Sequence, residues 1–386
     1  MFENNKIFIW SPFIAKVGTV NNVINSIFSL IKFSKKKNFK ISIINAFGEW
    51  NYLKNKFNEK KIEIFNLNNL NFILNMKKTG FLKSRICYII ISIFSIFPLF
   101  FLLNKKKPNF LIIHLITSLP LILFILFNFK TKLILSIAGN PKMHFIRKYI
   151  WKKASKKIYF VTCPSVEFKN HLISLKIFDE KKIKVLRDAH LNINKILKLK
   201  NQKLDSKFFD NGKIIISIGR LTKQKNFEFL ILAFKELSLK YRDIKLAIIG
   251  DGEEKKKLEK LIIQLKLEDR IKLIESQENI YNYLSKSHFY ISTSKWEGSS
   301  LAMIDAAYVG IPILCSNCPS GRKEFINNDE RGYIFNSNDK IDFLRKFEKL
   351  INEEKSKLKI KIIKSKKETK KFTPFRHFQD LNKFLD

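Results

Sequence analysis

The stretch FYISTSKWEGSSLAMIDAAYVGIPILCS (residues 289–316) decides the fold class that we expect for this chain. Its two ends, 289–295 and 310–316, are short apolar runs of the kind that form buried strands. Between them, the small and apolar residues of 299–308 have the length and composition of a buried helix. A strand, a helix and a second strand in this order predict a parallel βαβ unit, because parallel strands need a crossover connection.

The same alternation extends in both directions along the 386 residues, and it predicts two domains, each with a doubly wound parallel sheet. Strands are predicted at 6–10, 40–46, 109–115, 132–139 and 157–165 in the first half, and at 212–220, 244–252, 270–276, 289–295 and 310–316 in the second. Helices are predicted at 18–34, 226–240, 253–266, 279–286 and 299–308. The predicted domains are 1–190 and 213–370, with a lysine-rich linker at 191–212 and a final amphipathic helix at 374–386 that packs on the first domain.

Two carboxylates flank the start of the helix predicted at 299–308. Glu297 precedes a Gly-Ser-Ser cluster of the kind that opens a helix, and Asp305 lies six residues after Ser299, about 9 Å along the axis. Because the free N–H groups of a helix N-terminus attract anions, this spacing favours a ligand that lies along the helix with a polar group at each end. The structural alternative is that Glu297 caps the helix at the surface and Asp305 is solvated.

The composition is that of a globular protein, with 46% hydrophobic and 28% charged residues. The formal net charge of +39 is compatible with nucleic acid, an anionic membrane surface or polyanionic small molecules as partners. The lysines are spread over the whole chain and no nucleic-acid recognition motif is present, so we expect no nucleic-acid partner.

The cysteines predict neither a metal site nor a redox site. Cys315 and Cys318 have C-x-x-C spacing, but no second ligand pair is visible, and a turn rather than a helix follows them. Four cysteines in so long a chain suit a reducing compartment. The N-terminal residues contain no basic region followed by an apolar run, so we predict no signal peptide and a cytoplasmic protein.

One apolar segment raises the question of a membrane. Residues 86–103 are eighteen residues without a charge, flanked by Lys83 and Arg85 on one side and by 105–107, three lysines, on the other. The segment could be a core helix, an interfacial helix or a spanning helix, for which its length is marginal. Basic residues on both flanks, and Pro98 inside, favour a helix that lies on the inner face of an anionic membrane.

Four motifs of the second half follow one another in the order and spacing of the group-1 retaining glycosyltransferase family, which this chain resembles. They are SIGRLTKQKNFEFLILAF (217–234), AIIGDGEEKKKLEKL (247–261), EGSSLAMIDAAYVGIPILCSNCPSGRKEFI (297–326) and RGYIF (331–335). The resemblance is strong over about 212–336 and holds only in outline before that. It implies a GT-B architecture: two Rossmann-like domains face each other across a cleft, and the last helix crosses back to the first domain. A nucleotide-sugar donor would bind the C-terminal domain and the acceptor the N-terminal one.

The resemblance also implies roles for the two carboxylates. The family has an acid-x7-acid motif, matched here by Glu297 and Asp305, in which the first acid contacts the transferred sugar and the second the donor ribose. Asp305 departs from the family pattern, which has the longer Glu. The backbone N–H groups of Ser299, Ser300 and Leu301 would then face the phosphate oxygens.

The family places an arginine and a lysine on the donor diphosphate, where they stabilise the leaving group and replace a metal ion. The matching residues are Arg220, which follows Gly219 at a strand end, and Lys225, with Lys223 as an alternative. A guanidinium fork and a flexible ammonium could both reach one diphosphate. The remaining donor-binding residues that the resemblance implies are Ser320, Gly321 and Glu324.

The acceptor half matches the family less well. Gly18 opens the first helix, where the family often has a glycine-rich loop beneath the diphosphate. Many relatives carry a histidine before the glycine that follows the 132–139 strand, but Ala138 stands there. His114 and His144 are candidate replacements, although a lone histidine beside an apolar strand is more often a core residue. We name no catalytic base, because retaining transfer on one face can use the donor phosphate.

Together these features predict a retaining, metal-independent glycosyltransferase without a cofactor. It would move a sugar from a UDP- or GDP-linked donor to a lipid-linked or oligosaccharide acceptor at the inner face of a bacterial cytoplasmic membrane. The alternative is a catalytically decayed carbohydrate-binding or scaffold protein on the same fold.

Overall fold

A computed structural model describes residues 5–14, 18–34, 39–68, 81–139, 141 and 143–386, without the side chains of 81–84. The chain divides into two compact units. The first comprises Met1–Pro164, Lys169–Ala189 and Pro374–Asp386, and the second comprises Ser165–Phe168 and His190–Thr373.

The first unit contains a seven-stranded parallel sheet in the order β3-β2-β1-β4-β5-β6-β7. Its strands are β1 (Lys6–Trp10), β2 (Lys40–Asn45), β3 (Glu63–Asn66), β4 (Phe110–Ile113), β5 (Lys132–Ser136), β6 (Ile158–Cys163) and β7 (Ile183–Val185). The helices before residue 190 are α1 (Gly18–Phe33), α2 (Lys54–Glu59), α3 (Phe81–Lys106), α4 (Ser118–Leu126), α5 (Phe145–Ala154) and α6 (Val166–Ser174). The central strands β1, β4 and β5 are apolar and buried except at their ends, as expected for a sheet covered on both faces.

The second unit contains a six-stranded parallel sheet in the order β10-β9-β8-β11-β12-β13. Its strands are β8 (Lys213–Ile218), β9 (Ile244–Ile249), β10 (Ile271–Ile274), β11 (Phe289–Ser292), β12 (Ile313–Asn317) and β13 (Tyr333–Asn336). Its helices are α7 (Ile193–Lys200), α8 (Phe227–Lys240), α9 (Lys255–Gln264), α10 (Tyr281–Ser285), α11 (Leu301–Val309), α12 (Arg322–Ile326), α13 (Lys340–Ile351) and α14 (Lys355–Glu368). The last helix of the chain, α15 (Pro374–Leu385), belongs to the first unit, where it packs on α1.

Three strands were not predicted from the sequence: β3, β7 and β13. All three lie at an edge of their sheet and are short, with partly exposed side chains, so they lack the continuous apolar run that marks a central strand. The predicted linker at 191–212 also differs from the structure. It contains α7, whose Ile196 is fully buried in the core of the second unit.

Helix α3 is longer than the predicted 86–103 and continues through Pro98. One narrow stripe along it is buried: Cys87, Ile91, Ser95, Leu99 and Leu103, each four residues from the next. The opposite side carries large exposed apolar residues, of which Phe97 is 70% exposed. By length and composition alone, Arg85–Lys106 could cross a membrane, a test that core helices of soluble proteins also pass.

Candidate functional site

The candidate site lies at the carboxyl ends of β8 and β11, which are neighbours in the second sheet. The chain order reverses between these two strands, because the sheet grows from β8 toward β10 on one side and from β11 toward β13 on the other. The crevice at such a reversal is the usual ligand site of an open parallel sheet. The segments that follow β8, β11 and β12 carry the predicted site residues.

Glu297 is the centre of this region, and its side chain is only 9% exposed. Its Oε1 atom lies 2.6 Å from Lys225 Nζ and 3.2 Å from Arg322 Nη2, and it accepts a hydrogen bond of 2.6 Å from Ser294 Oγ. Burial opposes ionisation, but the two cations outweigh it and hold the pKa of Glu297 below its usual value. The structure therefore brings together two of the three residues predicted as catalytic, Glu297 and Lys225, as an ionised pair.

The loop from 219 to 225 is shaped to present Lys225. A Cβ atom on Gly219 would lie 2.7 Å from Lys225 Cε, so a side chain there would displace the lysine stem from this position. Thr293 Oγ1 donates a 3.0 Å hydrogen bond to the carbonyl of Lys225 and fixes the backbone beneath it. A Cβ on Gly250, the first glycine of the sequence Gly-Asp-Gly at 250–252, would lie 1.9 Å from the carbonyl oxygen of Gly219. This glycine therefore allows the two loops to approach each other closely. Arg220, the third residue predicted as catalytic, is an exposed residue of this loop.

Helix α11 begins at Leu301, two residues later than predicted, because Ser300 adopts a left-handed conformation with φ +47° and ψ +48°. A non-glycine residue there is strained, and the hydrogen bond from Arg322 Nε to Ser300 Oγ, 2.9 Å long, holds it in place. The first N–H groups of the helix therefore belong to Leu301 and the next residues, while Ser299 and Ser300 lie in the turn before it.

Asp305 lies in the second turn of α11 and is 3% exposed. Its Oδ1 atom lies 2.8 Å from His190 Nε2 and accepts a hydrogen bond of 2.9 Å from Tyr281. The alternative of a solvated Asp305 is therefore wrong, because this carboxylate is buried and bonded to two side chains. Its proposed contact with the ribose of a donor stays a prediction.

The predicted residues after β12 bond to the first turn of α6. Gly321 donates its N–H to Glu167 Oε2 at 2.7 Å, and the N–H of Val166 donates to Glu324 Oε2 at 2.8 Å. Each carboxylate thus accepts from the start of the other helix, where a negative charge is favourable. Ser320 is 5% exposed, and its Oγ donates to the carbonyl of Cys318.

The acceptor-side residues lie in the first unit. Gly18 is the exposed first residue of α1, and His144 is exposed immediately before α5. His114 follows β4 and lines a small, largely apolar cavity together with Ala138, Thr162 and His377. Burial, with a contribution from the charge of His377, lowers the pKa of His114 to about 3. At neutral pH its imidazole is uncharged.

Three residues of the site were missed by the sequence predictions: Arg322, His190 and Tyr281. A signal existed for Arg322, because arginine is rare in this chain, with ten among 73 basic residues, and Arg322 lies within the motif at 297–326. His190 and Tyr281 lie far from Asp305 in sequence, and no local pattern marks them. Among the residues that the structure describes, no group of three or more His, Cys, Asp and Glu could hold a metal ion.

Comparison with known proteins relates the second half of the chain to a family. Residues 200–369 match the family "Glycosyl transferases group 1". An uncharacterized glycosyltransferase of Methanocaldococcus jannaschii is 32% identical over 227 residues, which are 55% of this chain and 53% of that protein. The chain therefore spans about half the length of this relative. The N-acetylgalactosamine-N,N'-diacetylbacillosaminyl-diphospho-undecaprenol 4-alpha-N-acetylgalactosaminyltransferase of Campylobacter jejuni is 26% identical, with 67% of this chain and 71% of that protein covered.

Solved structures with little sequence identity share the fold. A glycosyltransferase from Rickettsia africae has a TM-score of 0.74 at 16% identity and covers 100% of this chain and 98% of its own. Anabaena HepE in complex with UDP has a TM-score of 0.72 at 14% identity, with 98% and 99% covered. The predicted GT-B fold and the resemblance to group-1 glycosyltransferases are confirmed.

Proposed function

Because residues 200–369 belong to the glycosyl transferases group 1 family, we propose that this protein transfers a sugar from a UDP- or GDP-linked donor to a lipid-linked or cell-surface glycan. The transferred sugar would keep its anomeric configuration. The observation that carries the proposal is the ionised Glu297 carboxylate, held 2.6 Å from Lys225 Nζ at the mouth of α11. A buried ion pair adds little net stability, and ionisable groups with shifted pKa values in a crevice are concentrated at functional sites.

The donor diphosphate would lie between Arg220, Lys225 and the first N–H groups of α11. Two cations and a helix N-terminus offset the charge of a diphosphate without a metal ion. The same groups would stabilise the nucleoside diphosphate as it leaves, since its negative charge grows in the transition state.

In the reaction, the bond between the anomeric carbon and the phosphate oxygen breaks, and a bond from the acceptor oxygen to that carbon forms on the same face. The acceptor proton passes to an oxygen of the departing phosphate, so no side-chain base is required. An ionised Glu297 has no proton to donate. Its role would be to accept hydrogen bonds from sugar hydroxyls and to stabilise positive charge that develops on the sugar ring.

On the acceptor side, the His114 cavity is the candidate contact. His114 and Ala138 line the same cavity, so a histidine is available close to the position where relatives carry one. Since burial keeps His114 uncharged, it would contribute a hydrogen bond rather than a charge. His144 and Gly18 remain weaker candidates, because both are exposed and neither lines this cavity.

The donor class and the stereochemistry can be tested together. A thermal-shift panel should include the UDP-linked N-acetylhexosamines first, because the Campylobacter jejuni relative is named as an N-acetylgalactosaminyltransferase. A donor at 100 times its dissociation constant stabilises the folded state by about 2.7 kcal/mol. The hit is then incubated with lipid-linked acceptors, and the anomeric configuration of the product is read by NMR. Binding without transfer to any glycan acceptor would favour the decayed binding protein, and an inverted product would refute retention.

The proposal includes peripheral attachment to the inner membrane surface, which the sequence between Glu63 and Glu167 supports. Residues 64–166 contain sixteen Lys or Arg and no Asp or Glu. In the same stretch, the outer side of α3 exposes Ile89, Ile93 and Phe97, which are 60%, 58% and 70% exposed. Apolar side chains bordered by cations are the combination that binds an anionic bilayer, at about 1 kcal/mol for each cation near the surface.

Cell fractionation tests this attachment. The protein should pellet with membranes at low salt and be released, at least partly, by high salt or alkaline carbonate. Release by detergent alone would show that α3 spans the bilayer. In flotation with anionic vesicles, Ile93→Ser with Phe97→Ser should reduce binding. The matched control is Leu239→Ser with Ile341→Ser, which removes two equally exposed apolar residues from the second unit. Equal loss in both double variants would refute a specific surface.

A further inference from the structure

Arg322 is the most completely buried charged side chain near the candidate site, with 1% exposure. Its guanidinium donates from Nε to Ser300 Oγ (2.9 Å), from Nη1 to Ser316 Oγ (2.8 Å) and carbonyl (3.2 Å), and from Nη2 to Ser292 Oγ (2.6 Å). Nη2 also lies 3.2 Å from Glu297 Oε1. One side chain therefore ties together the ends of β11 and β12, the turn before α11 and the central carboxylate.

The two cations beside Glu297 differ in their freedom to move. Lys225 has a flexible stem, its side chain is 18% exposed, and Glu297 Oε1 is the side-chain atom to which its ammonium bonds. Arg322 is held by three serine hydroxyls besides Glu297, and a guanidinium stays protonated at any pH at which the protein is folded. Lys225 can therefore turn from the carboxylate toward a second anion, whereas Arg322 is held in place.

This difference matters if Lys225 binds the donor diphosphate. At 2.6 Å from Glu297, its ammonium already makes a full charge-assisted hydrogen bond there, so contact with a diphosphate draws it away. A buried carboxylate that loses its cation tends to take up a proton. Glu297 would lose the charge that the reaction needs at the moment when the donor arrives.

We infer that Arg322 is a positioning residue: it is the permanent counter-ion that keeps Glu297 ionised and correctly oriented while Lys225 turns to the donor diphosphate. The inference rests on the proposed function, since it assigns Lys225 to the donor. Arg322 itself touches no substrate and acts through Glu297 and through Ser300 at the start of α11.

The groups that surround Glu297 allow this to be read from a pH profile. Besides Lys225 and Arg322, three titratable groups interact electrostatically with Glu297. They are Tyr290 on β11, Cys315 on β12 and Cys318 in the following turn. Burial raises the pKa of Tyr290 and of both thiols, that of Cys315 to about 12. Below pH 8, the group of this cluster that changes charge is therefore the carboxylate.

The test compares Arg322→Gln and Arg322→Lys with the wild-type full-length chain. We measure kcat and KM for the donor from pH 3.5 to 8.5, together with thermal unfolding, and read the acidic limb from the kcat profile, which reports the donor complex. In Arg322→Gln, the acidic limb of the kcat profile should move up by about one pH unit or more, because Lys225 is then at the diphosphate and Glu297 has lost its permanent cation. kcat should fall on the order of 10²-fold, the effect of a misplaced reacting group, while KM for the donor changes little. Arg322→Lys should keep the wild-type acidic limb.

The control is Arg345→Gln, which removes an arginine whose side chain is 74% exposed, on α13, and should leave the profile unchanged. An active Arg322→Gln variant with an unshifted acidic limb would overturn the inference, as would a loss that only follows the unfolded fraction. If Arg322→Gln does not fold, Lys225→Gln decides. Its donor affinity should fall while the acidic limb of its kcat profile, which reports the donor complex, stays within about half a unit of wild type. A shift of a full unit in that profile would mean that Lys225 keeps Glu297 ionised even with the donor bound. A wild-type protein without transferase activity would instead refute the proposed function.

Discussion

Glu297→Gln and Arg220→Ala should both abolish transfer, but only the first should destabilise the protein. Glu297 is the carboxylate that balances Arg322, whose side chain is 1% exposed. Breaking a buried ion pair by removing one partner costs about 3–5 kcal/mol, and we expect the lower end because glutamine keeps a hydrogen-bonding oxygen. At about 2–4 °C per kcal/mol for a domain of 150–250 residues, a loss of about 3 kcal/mol lowers the melting temperature by about 6–12 °C.

Arg220 supplies the matched comparison, because it is exposed. Its replacement by alanine should change the free energy of unfolding by no more than about 0.5 kcal/mol. Loss of one preorganised charge partner typically costs 10²–10³ in rate, so transfer should fall by about that factor in both variants. The assay is transfer of a radiolabelled sugar, with calorimetry of the same samples. Near-wild-type turnover of Arg220→Ala would refute the donor-site assignment, and a wild-type melting temperature of Glu297→Gln would refute the role of its buried ion pair.

The remaining predictions concern metal, pH and the acceptor side. EDTA should leave transfer unchanged, and activity that is lost on chelation and restored by magnesium or manganese would contradict the metal-free mechanism. Burial raises the pKa of Glu49 to about 7, above its unfolded value of 4.5, so its contribution to stability is lost as pH rises. Between pH 4.5 and 8 the wild type should lose about 3 kcal/mol of unfolding free energy relative to Glu49→Gln in urea titrations. The pKa of His114 is lowered to about 3, so its contribution is instead lost as pH falls below 6.5, by about 3 kcal/mol at pH 4 relative to His114→Gln. For either residue, the same pH dependence of the unfolding free energy in wild type and variant would contradict the shifted pKa.

The fold can be predicted from the sequence because the residue pattern of each central strand or helix is typical of that element. The runs at 213–218 and 244–249 are mostly apolar and largely buried, as is typical of strands covered on both faces, and a helical segment separates them. The edge strand at 333–336 was missed because it has only three apolar residues in a row, which is too short a run to indicate a strand. The prediction of a linker at 191–212 is wrong for another reason. The lysines of this segment lie on the outer side of α7, and Ile196 is the one residue of that helix that is buried.

The site is predictable as far as its residues are near each other in the chain. Glu297, Ser299 and Ser300 stand together before a helix, so the polar helix mouth is visible in the sequence. The two cations that pair with Glu297 lie 72 residues before it (Lys225) and 25 residues after it (Arg322). Only the order of the strands in the sheet brings them together. Lys225 is one of many lysines, so its spacing alone does not single it out, and only the family resemblance points to it.

Asp305 shows how a shorter side chain changes what a position can do. Glutamate is the family residue there, and its extra methylene extends the carboxylate about one bond further from the helix. The aspartate of this chain instead remains among the side chains that pack on α11, where His190 and Tyr281 both reach its Oδ1. The backbone N–H groups of His190 and Leu191 both donate to the carbonyl of Phe372, so Asp305 is anchored to a fixed point of the second unit. A carboxylate held from two sides in this way orients α11 whether or not a ribose is bound. Helix α11 therefore has two buried anchors, Arg322 at its start and Asp305 in its second turn. The exposed Arg220 and the partly exposed Lys225 are the cations that we expect to move onto a ligand.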